Sequence, residues 1–283
     1  MKTQIKTQNN TRSQKKYRLY SGWKRDSKDH RDLHYVPRRK PTAKIVDLRS
    51  FCPPIYNQGP LGSCVFNSVG FTVHFDELKQ RLLNSFMPAR LFMYYNARVM
   101  QGTVGEDSGS EVRTGIKTVA KQGFCSETLW PYDVSQFTKK PTPDCYTEAL
   151  KHRAIKYMRV AQDLEHLKSC LDEGYPIAFG FNVYSSFESA KVAKTGMVPM
   201  PKKGEKNIGG HAVAIVGYND DMQCFIVRNS WGADWGDHGY CYMPYAYITD
   251  KKLSDDFWTI RLVSASTAAR ARRKAHRLAA LAA

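Results

Sequence analysis

Asn57-Gln58-Gly59-Pro60-Leu61-Gly62-Ser63-Cys64-Val65-Phe66 carries a serine and a cysteine from a glycine-rich turn to the head of a long apolar run. That run, residues 65–83, sets Val65, Phe66, Val69, Val73, Leu78 and Leu82 at roughly helical spacing, with apolar residues on nearly every side. The pattern predicts a buried central helix. Gly59 and Gly62 permit the tight entry, and Ser63 is placed to cap the helix. Cys64 then falls in the first turn, where unpaired backbone N–H groups and the positive end of the dipole favour thiolate over thiol. Gln58, just upstream, can aim a side-chain amide at the same spot.

A cysteine at a helix start is more often inert than reactive. Two further stretches change its reading. In Gly209-Gly210-His211-Ala212-Val213-Ala214-Ile215-Val216-Gly217-Tyr218 a histidine heads an apolar strand, with glycines before it that let a ligand backbone come close. In Val227-Arg228-Asn229-Ser230-Trp231-Gly232-Ala233-Asp234-Trp235-Gly236 an asparagine ends a strand and is followed by two tryptophans in a glycine-rich loop. Alone, His211 reads equally as a core histidine and Asn229 as a turn residue. Together, in the order Gln, Cys, His, Asn, they form one pattern.

On these motifs the chain resembles the papain family of cysteine peptidases, and among them the compact microbial and viral cathepsin-like members that lack a long pro-domain. His211 follows Cys64 by about 147 positions and Asn229 by about 165, against about 130–150 in that family. The resemblance spans about Ile45 to Val263. It implies an α+β, two-lobed papain-like fold, with a helical lobe over residues 55–150, an antiparallel β-barrel-like lobe over 151–263, and the active site in the cleft between them. It also implies a thiol-dependent endopeptidase. Cys64 would form the thioester, His211 would act as general base and acid, and Asn229 would orient the imidazole. Gln58 and the Cys64 N–H would hold the oxyanion. Gly109, Ser110, Gly210 and Trp231 would border the substrate, Trp231 also shielding the His–Asn pair from water. Val65 stands where the family usually has tryptophan, which implies an altered cleft shape. A non-catalytic or structural binding protein on the same scaffold is the alternative.

The net charge of +17 invites a nucleic-acid reading, but its distribution opposes one. Residues 1–44 carry 14 Lys/Arg against 3 Asp/Glu, and residues 264–283 carry 5 Arg/Lys and no acid, so the body is close to neutral. Contact with nucleic acid or an anionic surface is expected only through these basic ends. The protein or peptide substrate is otherwise the expected partner, and the chain is expected to be a monomer. The seven cysteines have no zinc-like spacing, so neither metal nor cofactor is expected. The resemblance adds that secreted relatives carry a half-cystine three residues before the nucleophile. Leu61 stands there, and Asp107 stands at its usual partner's place. With no apolar leader visible either, a reducing compartment is expected, the cytoplasm for instance, or a virion if the source is a virus.

Residues 1–44 read as a basic arm. Within it, Tyr17-Arg18-Leu19-Tyr20-Ser21-Gly22-Trp23 is an aromatic cluster that needs a surface to bury against. Two readings stay open: an extended arm packed on the body, or a short built-in propeptide covering the cleft. Further along, helices are expected over residues 88–99, with Pro88 in the first turn, over 111–121 and over 163–173. Strands are expected from Ile177 and over 211–218, 223–228, 240–243 and 257–263. The Ala/Arg-rich residues 264–283 read as an appended tail.

Overall fold

The structure, a computed structural model, describes residues 22–82 and 85–264. The segment before Gly22, Leu83 and the tail beyond Ser264 lie outside the described residues. In chain order the elements are β1 (Trp23–Lys24), β2 (Ile45–Asp47), α1 (Cys64–Lys79), α2 (Arg90–Gln101), β3 (Ser110–Glu111), α3 (Val112–Lys121), α4 (Pro143–Ala149), β4 (Ala154–Arg159), α5 (Leu164–Asp172), β5 (Ile177–Tyr184), α6 (Ala190–Thr195), β6 (Asn207–Asn219), β7 (Cys224–Arg228), β8 (Tyr240–Pro244), α7 (Tyr245–Thr249) and β9 (Ser254–Val263). The longer helices come first and most strands follow, an α+β order. Among the described residues no helix is long and apolar enough to cross a membrane.

While β1 and β3 form a separate parallel pair, seven strands form one antiparallel sheet in the order β4-β9-β5-β6-β7-β8, with β2 also paired to β6. Register shifts in the β4–β9, β5–β9 and β6–β7 pairs bend it. The sheet nonetheless stays open, with β4 and β8 at its ends, so the expected barrel-like closure does not occur.

Two apolar cores flank α1. Val65, Phe66, Val69 and Val73 pack with α2, α3 and Trp258. Phe71 and Phe75 pack with Phe179, Ile215 and Val227 of the sheet. A helix that serves two cores needs apolar residues all round, which is the pattern its sequence has. Ser68 Oγ donates to Val213 O at 2.7 Å and ties the first turns of α1 to β6.

Three local expectations are corrected. Ser63 occupies the cap position of α1 without a capping bond, because its hydroxyl bonds Tyr132 Oη at 2.5 Å and accepts from Asn67 Nδ2 at 3.1 Å. Pro88 lies before α2, bridged to Ser126, because Ala89 is still extended. The helix α1 ends at Lys79, and Arg81 turns the chain at φ +51°. The short helices α4, α6 and α7 and the strand β4 escaped the periodicity reading.

Candidate active site

The two walls of the cleft are stitched together by backbone. Gln58 N donates to Ser230 O at 2.9 Å, and Gly232 N to Tyr56 O at 3.1 Å. Ser230 Oγ donates to Gln58 Oε1 at 2.6 Å, and Gln58 Nε2 donates to Leu61 O at 3.0 Å. Gln58 is thereby held on both sides while one amide N–H stays free of that bond.

Cys64 begins α1 and is fully buried. Its thiol lies against the backbone N–H groups of Val65 and Ala212, the latter adjacent to His211. On β6 the His211 ring is 1% exposed and its Nε2 meets Asn229 Oδ1 at 2.8 Å. Trp231 stacks over that ring, centroids 5.0 Å apart and planes 26° apart, and so covers the His–Asn bond. Imidazole, Asn229 and Trp231 thus meet directly, and the thiol reaches the backbone of Ala212, the residue next to His211.

The ionisation differs from the thiolate that a helix start favours. Burial pushes the Cys64 thiol up to about 12, and burial pulls His211 down to about 4 despite its bond to Asn229. Both groups are neutral here, because a charge in a dry site has no water to stabilise it. The water is displaced by the chain's own arm.

Gly22 O accepts from Ser110 N at 2.8 Å, and β1 continues parallel to β3, with Trp23 opposite Ser110 and Lys24 opposite Glu111. A methyl group on Gly22 would fall 2.7 Å from Cys64 Sγ and 2.5 Å from Gly62 O, so only glycine passes over the sulfur. Gly109, at φ +65°, approaches the Gly22 backbone as closely. Gly109, Ser110 and Gly210 thus lie against the arm itself.

Trp23 was flagged in the sequence as an aromatic seeking a surface, and not as a site residue. Its indole lies against Gly180 and Gly210, where a Cβ on either would collide with the ring. Its Nε1 donates to Asp256 Oδ2 at 3.1 Å. Beyond it, Asp26 N also donates to Asp256 Oδ2 at 2.8 Å, while the Asp26 carboxylate accepts from Arg113 N, Trp258 Nε1 and Arg159 Nη1. Arg113 pairs with Asp32, and Arg25 with Asp255 at 3.0 Å. A glycine inside an apolar strand was the one signal in the sequence for the Gly180 floor; Asp256 carried none.

A family model described as papain family cysteine protease matches residues 91–254. An uncharacterized peptidase C1-like protein of Acanthamoeba polyphaga mimivirus is 47% identical over 229 residues, 78% of this chain and 73% of that protein. The chain belongs to the papain family of cysteine proteases. Cysteine proteinase 1 of Entamoeba histolytica is 27% identical, over 78% of this chain and 69% of its own. The crystal structure of xylellain, a cysteine protease from Xylella fastidiosa, superposes with a TM-score of 0.79 at 40% identity, covering 85% of this chain and 95% of that one. The fold is therefore papain-like and the activity is that of a thiol-dependent peptidase acting on peptides. The family match begins after Cys64, so the nucleophile turn rests on the geometry above. Among the described residues no group of three or more His, Cys, Asp or Glu could hold a metal ion.

Proposed function

We propose that Cys64 attacks the peptide carbonyl to form a thioester, with His211 as base and then acid, and that residues 22–35 keep the full chain latent by filling the groove. The observation that carries this is the extended backbone of Gly22 lying on Ser110 N–H directly over Cys64 Sγ. When the arm leaves, water and substrate enter, and the thiol and imidazole can share a proton as a thiolate–imidazolium pair. Asn229 Oδ1 fixes the tautomer that leaves Nδ1 for the sulfur. The free N–H of Gln58 and the Cys64 backbone amide take the developing oxyanion charge. Ser110 N–H and the Gly109 backbone pair with the substrate as a strand would, a role Gly22 O now fills.

The pocket that Trp23 fills also indicates preference. Its glycine floor takes a flat ring, and Asp256 at its end takes a donor. Substrates with Trp, or with a basic side chain of similar reach, fit it best. A division into an arm over residues 1–44, lobes over 55–150 and 151–263 and a tail after 263 is our reading; that one core is built mostly on α1, α2 and α3 and the other mostly on the sheet supports its two lobes. Seven free thiols favour a reducing compartment.

The test is hydrolysis of a small fluorogenic peptide by full chain carrying Gly22→Ala and Trp23→Ala, which displace the arm without removing it. Turnover that disappears on adding Cys64→Ala supports the assignment. Equal turnover with and without Cys64 rejects it.

A further inference from the structure

The Asp107 carboxylate takes the Gly62 N–H with both oxygens, each at 3.0 Å, and accepts the Tyr94 hydroxyl at 2.6 Å. The same hydroxyl accepts Gly109 N–H at 3.0 Å. Gly62 lies two residues before Cys64, and Gly109 immediately precedes Ser110. We infer that Asp107, acting through Tyr94, is a positioning residue that fixes the nucleophile turn at a set distance from the strand that pairs with substrate. This rests on the peptidase reading of Cys64.

The clamp is built to be rigid. Arg98, one turn beyond Tyr94 on α2, is fully buried and donates to Val104 O at 2.7 Å and Glu106 O at 3.1 Å, so the backbone leading into Asp107 cannot swing. Its guanidinium lies 4.1 Å from the Tyr94 ring centroid and is a positive charge within electrostatic reach of the carboxylate. Burial, and then the bond to Asp107, raise the Tyr94 hydroxyl, so it stays protonated and keeps donating. A charged acceptor serving a backbone N–H and a buried hydroxyl makes stronger bonds than a neutral one.

The clamp has two limbs, and they can be cut separately. In full chain carrying Gly22→Ala and Trp23→Ala, Tyr94→Phe releases only Gly109. It is expected to raise KM about tenfold with kcat nearly unchanged. Asp107→Ala frees Gly62 and unties Tyr94 from the nucleophile turn, and is expected to lower kcat about 10- to 100-fold. Asp107→Asn, which keeps an acceptor oxygen, is expected to fall between. Amide hydrogen exchange reads the clamp without turnover: Gly109 should exchange faster in Tyr94→Phe, and Gly62 in Asp107→Ala. Unchanged kcat and KM in Tyr94→Phe and Asp107→Asn would overturn the inference. So would unchanged exchange, even if the parent chain proved inactive, a result that would count against the peptidase reading instead.

Discussion

The nucleophile turn, residues 57–66, and the arm, residues 22–35, both lie in the cleft, yet they are held by different physics. The turn is fixed by buried bonds between backbone and side chain, among them Gln58 to Leu61 and Gly62 to Asp107, and none of these depends on the arm. The arm is held by two buried aromatic side chains, Trp23 and Tyr35, and by carboxylate–guanidinium pairs that range from the buried Arg113–Asp32 to the exposed Arg25–Asp255. An exposed pair such as Arg25–Asp255 contributes about 0–1 kcal/mol. Burying a large apolar side chain contributes about 1.5–3 kcal/mol. Trp23 is therefore the largest single attachment at the Cys64 end of the arm. The groove is preformed, and its occupant can be removed by conditions that leave the groove intact.

Breaking the turn should have the largest effects. In the arm-displaced full chain, Cys64→Ala should cost on the order of 10⁶-fold in kcat, measured on a small peptide. Gln58→Ala should cost about 10²–10³-fold, since it deletes an oxyanion donor. Asn229→Ala should cost less, about 10- to 100-fold, because the ring stays stacked under Trp231 and loses only its tautomer lock.

Breaking the arm should have the opposite sign. Trp23→Ala in the full chain should raise turnover about 10- to 100-fold, the indole's contribution expressed as an equilibrium. The smallest expected effect is on pH. Burial, and then the neighbouring Asp26 carboxylate, push Asp256 up to about 7, with Asp255 raising it further and Arg159 opposing. Burial raises Asp26 too, against Arg113 and Arg159. An opened arm removes Asp26 and Trp23 from Asp256 and lets water in, so Asp256 then titrates lower. The closed form accordingly holds a proton that the open form releases. Closure is strongest at acid pH and weakens as pH rises through about 7. Trypsin cleavage at Lys24 and Arg25, corrected with denatured chain at each pH, should rise a few-fold between pH 6 and 8. It should stay flat in Asp256→Asn.

The two regions also differ in how far the sequence revealed them. Cys64, His211, Asn229 and Trp231 announce themselves because each sits in a local context that its chemistry requires: a helix start, a strand head, a strand end and a glycine-rich loop. The α1 helix was legible because burial on two sides leaves an apolar imprint. Trp23 was legible as an unsatisfied aromatic, but its pocket was not. That pocket joins Gly180, Gly210 and Asp256 from three strands that only the sheet register brings together. The thiolate was misplaced for a related reason. Ionisation follows solvent access, which the arm controls from some forty residues upstream of Cys64. Ser63 was read as a cap from its type alone, while its hydroxyl is claimed by Tyr132, far along the chain.

Timed alkylation by iodoacetamide, read by mass spectrometry of peptides from the intact full chain, compares the two regions in one experiment. Cys64 should label at least about tenfold faster in Gly22→Ala/Trp23→Ala than in the unaltered protein, while buried Cys125 and Cys241 label equally slowly in both. Equal labelling of Cys64 in the two proteins would mean that the arm does not close the cleft.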